Sequence, residues 1–448
     1  MKEGRTVRRA MIKPLKLTPP QLLAFMFLFL VVVGGVLLKL PIASEKDISW
    51  LDAFFLSTSA ATVTGLAPID PGSTFTLFGE IVLMVLIQVG GLGIMTFAVL
   101  VVIVLGKKIG MKQRMLMQEA LNQPSLGGVI RLARNLLLFS LLMELVGATL
   151  LAIDWVPKMG WAKGLYYSLF HTIASFNNAG FALWPDNLSR FVGDPIVNMT
   201  VSLLVIIGGL GFTVVFDVLY QRRWRKLSLH TKLMLVMTLV VNVVAIVAVF
   251  FFEQHNPKTL GSLSLREQLW AAYFQGITPR TAGFNTIDIG SLEQPTAMLM
   301  IFLMFIGAGS TSTGGGIKLT TFAVIVFAVM SFLKGKEETV IAMRTIRHTI
   351  ILRALAIASM SMLFIFVVTM MLTLTEDASL LALLFEVVSA FGTVGLSMNV
   401  TPHLSMIGKV LIIFVMLFGK LGPLTLVYSI AKPKKTNIRY PNGDILTG

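Results

Sequence analysis

The sequence contains no cysteine. Disulfides, cysteine-bearing metal sites and thiol catalysis go with it. Charge is scarce too. Only 13% of the 448 residues are Asp, Glu, Lys or Arg, about half the ~25% of a soluble domain, which leaves too few polar groups to clothe a water-facing surface. The five histidines (His171, His230, His255, His348, His403) are scattered without metal-ligand spacing. Nothing supplies a nucleophile–base pair or a metal cluster, so the chain is not expected to be an enzyme. The glycine-rich run through Gly314 is not a phosphate loop, because Gly315 stands where such a loop requires lysine. No cleavable signal fits the start, since no small-residue cleavage site follows the first apolar run.

What the chain does have is apolar sequence, 55% of all residues. Runs such as 21–40, 77–105 and 136–153 are long enough to cross ~30 Å of hydrocarbon, and they recur from end to end. The lipid bilayer is therefore the solvent for most of the protein. A net charge of +15 is of the sign that binds polyanions, but the basic residues fall into separate clusters at 2–16, 107–134, 222–232, 334–353 and 432–439. No folded soluble domain presents them, so nucleic acid is not an expected partner. All five clusters can lie on one side of the membrane while the loops between them carry acids, which marks the basic side as the inner face. The sequence predicts a multi-pass protein of the cell membrane with both termini cytoplasmic.

The clusters divide the chain into four units, a period best explained by duplication. The predicted boundaries are a cytoplasmic basic N-terminus 1–16, repeat 1 at 17–112, repeat 2 at 113–226, repeat 3 at 227–340, repeat 4 at 341–431 and a cytoplasmic tail 432–448. Each repeat runs in one order: an apolar span, an outer loop, a short amphipathic segment ending in a small, glycine-containing peptide, a second outer loop and a second apolar span. Two full crossings per repeat return the chain to the inner face, so the short segment must dip in and come back out. These segments, 49–66, 164–181, 267–284 and 380–396, are too short to span at 1.5 Å per residue. The predicted fold class is thus all-α and integral to the membrane, with four parallel helix–pore-loop–helix repeats. Parallel repeats also argue against an inverted-repeat secondary transporter, one of the competing readings.

The four short peptides are Thr62, Val63, Thr64, Gly65; Asn177, Asn178, Ala179, Gly180; Arg280, Thr281, Ala282, Gly283; and Gly392, Thr393, Val394, Gly395. A cation that sheds its water needs oxygen dipoles in exchange, and backbone carbonyls from four converging strands can supply them. Aligning those carbonyls drives the backbone into conformations that glycine tolerates. Irregular backbone at membrane depth is allowed only where it lines a cavity. The second spans carry matching motifs too: GGLG at 90–93, GGLG at 208–211 and GKLG at 419–422. These read first as close-packing sites between helices, with a hinge as the second reading. Repeat 3 departs from them with FIGAGSTSTGGGIKLTTF at 305–322. Its run of small residues cannot hold a lipid-facing helix and predicts a broken span.

The fourth peptide, GTVGL, comes closest to the TVGYG loop of potassium channels. With the single glycine per loop and the GSTSTGGGIK insertion, the fourfold repeat resembles the Trk/Ktr/HKT superfamily of potassium transporters over roughly residues 17–431. Length and the near-absence of extra helices resemble the KtrB membrane subunits within it most closely. The resemblance implies a pseudo-tetrameric pore in one chain, potassium as substrate with sodium dependence left open, a homodimer in the membrane and a cytosolic ring of nucleotide-binding regulatory subunits. It implies that glycine at all four filter positions accompanies potassium preference. It also implies that an intramembrane loop gates the pore below the filter, with a basic residue of the last span beside it. By position the gate comprises Gly307, Gly309, Ser310, Thr311, Ser312, Thr313, Gly314, Gly315, Gly316, Lys318 and Lys420. Lysine at 420 departs from the arginine expected in many relatives; the charge survives but a bidentate contact does not.

Two further residues draw notice. Arg280 heads the third filter peptide, and because a positive charge on the path would repel a cation, its side chain is expected to point behind the filter. Glu144 lies inside an apolar span and reads equally as a proton or sodium site or as a residue in an interhelical hydrogen bond or at the span's inner end.

Overall fold

A computed structural model of the chain describes residues 19–93 and 129–422. The predicted N-terminal segment 1–16, most of the basic stretch 107–134, the tail 432–448 and the boundaries at 112 and 431 lie outside the described residues. Repeat 1 supplies α1 (Pro19–Lys39), α2 (Trp50–Thr62) and α3 (Leu77–Leu92). Repeat 2 supplies α4 (Val129–Met159), α5 (Trp161–Phe176), α6 (Pro195–Leu210) and α7 (Phe212–Gln221). Repeat 3 supplies α8 (Leu229–Glu253), α9 (Leu265–Ile277), α10 (Gln294–Phe305) and α11 (Leu319–Leu333). Repeat 4 supplies α12 (His348–Thr375), α13 (Leu380–Gly392) and α14 (Met406–Leu421). Between α11 and α12 lies a small antiparallel hairpin, β1 (Val340–Ile341) and β2 (Arg344–Thr345).

The first helix of each repeat, α1, α4, α8 or α12, is long and apolar enough to cross a membrane. Only 28% of each apolar window is buried inside the protein. The rest exposes large side chains such as Phe25, Phe29, Leu141, Leu145, Val240, Val244, Leu363 and Phe366. Exposed apolar surface of that extent suits lipid rather than water. The protein is therefore a multi-pass, mostly helical membrane protein.

The short helices α2, α5, α9 and α13 behave oppositely: their C-terminal halves are buried almost without exception. Three begin at a serine whose side chain accepts an amide of the first turn, Ser49 from Asp52, Ser264 from Glu267 and Ser379 from Ala382. Such caps fix where a helix starts. At Ser264 the Glu267 carboxylate returns the bond to the cap amide, completing a capping box. The exception, α5, follows α4 through Gly160 alone, at φ 83°.

The second helix of each repeat packs on the short helix of the next: α3 on α5, α6 on α9, α10 on α13, and α14 back on α2. The contacts run in a closed cycle. Polar links mark three of the four joints. Tyr166 donates to Glu80 at 2.7 Å, the Ser202 and Tyr273 hydroxyls lie 2.8 Å apart, and Lys409 pairs with Asp52 at 2.7 Å. At the remaining joint the Phe305 and Phe391 rings stack, 6.1 Å between centroids.

The second helices are shorter than the apolar runs that contain them. Each of α3, α6 and α14 stops at the last glycine of its GGLG or GKLG motif, with Gly93, Gly211 and Gly422 at φ 83°, 95° and 82°. A left-handed residue ends a helix, and glycine adopts it without a Cβ penalty. At Gly211 the chain turns by 94° from α6 into α7. The first glycine of each motif does a different job. A Cβ on Gly90, Gly208 or Gly419 would collide with the backbone carbonyl of Ala61, Phe176 or Phe391 at the end of a short helix. The motif thus serves both readings, packing at its start and a sharp stop at its end.

Candidate ion-binding site

Each short helix ends in a turn that carries its glycine peptide, and the four turns share one backbone pattern. The second residue of each peptide is left-handed: Val63 at φ 60°, Asn178 at 60°, Thr281 at 75° and Thr393 at 49°. The glycine two places on is also at positive φ: Gly65 at 95°, Gly180 at 64°, Gly283 at 76° and Gly395 at 97°. Alternating hand along a strand turns successive carbonyls toward one side, the requirement for a carbonyl-lined path. Val63, Thr281 and Thr393 are β-branched, and such residues hold a left-handed conformation only where the surroundings over-determine it.

The four glycines meet. A Cβ added at Gly65 would strike Ala179 and Gly180, one at Gly180 would strike Gly283 and Ala282, one at Gly283 would strike Val394, and one at Gly395 would strike Thr64 and Gly65. The added carbon on Gly180 would sit 2.9 Å from Gly283 Cα, and that on Gly395 3.0 Å from Gly65 Cα. The contacts pass from repeat 1 to 2 to 3 to 4 and back to 1. All sixteen predicted filter residues therefore gather at one place, and no side chain fits inside the glycine ring.

What braces each turn differs. In repeats 1 and 4 a serine of the short helix accepts the glycine amide, Ser59 from Gly65 at 3.0 Å and Ser389 from Gly395 at 3.1 Å. Thr62 and Thr64 hydroxyls add a contact of 2.8 Å in repeat 1. In repeat 2 the bracing comes from other helices: Asn177 Nδ2 donates to Gln88 Oε1 at 2.7 Å, and Gln88 Nε2 donates to Glu144 Oε1 at 2.8 Å. Glu144 is thus one partner of an interhelical hydrogen bond that reaches the second peptide. In repeat 3 Arg280 Nη1 donates to Asn242 Oδ1 at 2.9 Å on α8, away from the glycine ring.

Beneath the ring lies the predicted loop. The helix stops at Phe305 and resumes at Leu319, with residues 307–318 irregular between them. Gly309 N donates to Gly209 O at 2.8 Å, and Phe212 N donates to Thr311 O at 3.1 Å, so the loop docks where α6 ends. Thr311 is itself left-handed at φ 60°, and its hydroxyl lies 3.0 Å from that of Thr213. Ser312 Oγ donates back to Gly309 O at 2.7 Å. Upward, Thr313 Oγ1 donates to Asn178 Oδ1 at 3.1 Å and Gly315 N donates to Thr393 Oγ1 at 2.7 Å. A Cβ on Gly314 would press on the Thr281 side chain. The loop therefore touches the left-handed residue of peptides 2, 3 and 4. Two ammonium groups hold it: Lys420 Nζ donates to Thr313 O at 2.5 Å, and Lys318 Nζ donates to Gly314 O at 2.7 Å. Ser310 and Gly316 complete the stretch, the latter at φ 68°.

Several contributors carried no signal in the sequence. Ser59, Ser389, Gln88 and Asn242 are ordinary polar residues of apolar helices, and only the fold brings them to the peptides. Their place in apolar helices is the one available hint, since a polar side chain at membrane depth needs a partner.

Comparison with known proteins agrees with this architecture. Residues 23–440 match the family described as TrkH, cation transport protein. The chain is 55% identical to the Ktr system potassium uptake protein B of Bacillus subtilis over 437 residues, covering 98% of each. It is 45% identical to the Ktr system potassium uptake protein B of Vibrio alginolyticus, covering 96% of this chain and 95% of that one. Among solved structures, the crystal structure of the potassium transporter TrkH from Vibrio parahaemolyticus superposes with a TM-score of 0.71 at 19% identity, covering 95% of this chain and 87% of that one. That likeness bears on the fold. The match across nearly its whole length makes this chain a member of the TrkH family of cation transport proteins, within the Trk/Ktr superfamily and most like its KtrB members.

Proposed function

We propose that the protein takes up potassium through a gated, channel-like pore whose selectivity filter is the ring of four glycine peptides. The closed cycle of glycine contacts carries this reading, because a fourfold ring of left-handed turns is what a carbonyl-lined cation path requires. The names of the Bacillus and Vibrio relatives supply potassium as the transported ion. Potassium is the substrate, held by backbone carbonyls of Thr62–Gly65 and their three counterparts. Sodium is an accessory ion in this proposal, and no described residue is assigned to it.

The loop 307–318 is the gate. It blocks by occupying the axis beneath three of the four peptides, and the ammonium groups of Lys318 and Lys420 add electrostatic repulsion to a cation. The chain works as a homodimer, and its basic inner face meets a cytosolic ring of nucleotide-binding subunits that moves the gate; both termini lie on that side. The relatives named as components of a Ktr system support such partners.

Deleting a few residues between Ser310 and Gly316 tests the gate. Uptake of rubidium by cells lacking their own potassium systems should rise and lose its dependence on the cytosolic partner, with ion preference nearly intact. Lys420→Ala should act in the same direction and less strongly. A deletion variant that reaches the membrane and conducts no faster than the parent would refute the gate.

A further inference from the structure

Arg280 is a cation in the protein interior with too few acceptors. It is 6% exposed. Its Nη1 donates to Asn242 Oδ1 at 2.9 Å, while the contacts to Thr238 O and Thr238 Oγ1 are long, 3.4 Å each. Its Nε has no partner among the described residues, and no carboxylate pairs with it there. A guanidinium presents five donors and no acceptor. Burying such a charge is costly unless an opposite charge answers it.

The neighbours are short of acceptors in the same way. Thr238 and Asn242 stand four residues apart on one face of α8. The Asn242 amide nitrogen donates to nothing among the described residues, and neither does the Thr238 hydroxyl, which only accepts from Arg280. Together with Gly209 and the apolar Val205 and Ile277, these three polar residues line a small cavity between α6, α8 and the end of α9. It is not fully enclosed and has room for a single small group. A cavity of that size edged by unspent donors and a fixed positive charge repels cations and suits a small anion.

We propose that this cavity binds a single monovalent anion of halide size, held by Arg280 Nε, the Asn242 amide and the Thr238 hydroxyl. The anion neutralises a charge that lies three residues before Gly283, so a cation at the glycine ring meets less repulsion. The binding site stands on the geometry alone; its effect on transport rests on the filter reading above.

Bromide tests the first part and chloride the second. Crystals of the full chain grown in sodium bromide should show an anomalous peak within hydrogen-bond distance of Arg280 Nε. In proteoliposomes, replacing chloride by gluconate should lower rubidium uptake by about threefold to tenfold, the scale of one partly screened charge. Asn242→Asp supplies a tethered carboxylate in the anion's stead, so its crystals should lack the peak and its uptake should be the same in both salts. Should that variant not fold, Thr238→Val removes one donor and should raise the chloride needed for half-maximal uptake by about fivefold. No bromide peak in the parent protein overturns the site. A peak with uptake indifferent to chloride overturns the coupling. A Gly283→Ser protein that keeps its ion preference while bromide still binds would sink the filter reading and leave the anion site in place.

Discussion

Repeats 1 and 4 brace their glycine amides from a serine of the short helix itself, whereas repeats 2 and 3 draw support from other helices. Six residues before the glycine, repeats 1 and 4 carry Ser59 and Ser389, whose hydroxyls accept the glycine amides. The same position is Ala174 in repeat 2 and Ile277 in repeat 3. There the support comes from Gln88 and Glu144 on neighbouring helices, and from the Arg280 contact with α8. The four backbones still reach the same left-handed pattern. The difference teaches that the site is specified at the level of backbone, and that side chains are free to diverge provided each turn is over-determined somehow.

The largest expected effect breaks what the four share. Serine at Gly65, Gly180, Gly283 or Gly395 puts a Cβ into the next repeat's backbone, so potassium preference over sodium should fall about tenfold or more in competition uptake. Four serine variants with unchanged preference would dissolve the comparison, since the shared pattern would then have no function. A double-mutant cycle sharpens the contrast between local and distant bracing. In detergent, Gln88→Leu should cost about 2–4 kcal/mol by stranding Glu144 and Asn177, and adding Glu144→Leu should cost much less than its own single effect. Ser59→Ala and Ser389→Ala should each cost about 1 kcal/mol and add within ~0.5 kcal/mol, because they share no partner. Coupling between the serines, or additivity between Gln88 and Glu144, would reverse the assignment.

Smaller effects lie at the rim. Lys409→Met should cost about 1 kcal/mol through the partly buried pair with Asp52, and exchanging the two charges should recover most of it. Smallest of all is the exposed pair of Lys39 and Asp47. A hydrogen bond from Lys39 and its charge hold the Asp47 carboxyl below its usual 3.8. A depressed carboxyl stabilises the folded state above its unfolded pKa and loses that contribution as pH falls through the folded value. Any gap in unfolding temperature between the parent and Asp47→Asn should therefore be slight at pH 7 and vanish below 3.8. A gap that widens in acid would contradict the sign.

Much of this was legible in the sequence because duplication writes the same message four times. The glycines, the dipping segments and the break in repeat 3 all follow from spacing and residue size. What stayed hidden depends on distance or on local strain. Gln88 reaches Asn177 across 89 positions and Asn242 reaches Arg280 across 38, so no local pattern joins them. Val63, Thr281 and Thr393 resist positive φ by their own propensity, and tertiary contacts override it. The hairpin turn at Ala342 and Met343 is similar: both are left-handed, yet neither is the glycine or asparagine that would have signalled it. In the GGLG motifs the packing role was legible, whereas the helix stop at the last glycine shows only in the backbone.

The cycle of second helix on next short helix also sets an order of manufacture. Its final joint links Lys409 to Asp52, groups 357 positions apart. Domains made by a ribosome fold from the N-terminus forward. Repeat 1 must therefore wait in the bilayer with the outer flank of α2 uncovered until the last helix, α14, is inserted. Any chain ending before residue 395 would leave that flank without its partner, and Gly65 without the strand of Gly395 beside it. An incomplete product thus presents an uncovered helix flank to surveillance proteases and to chaperones.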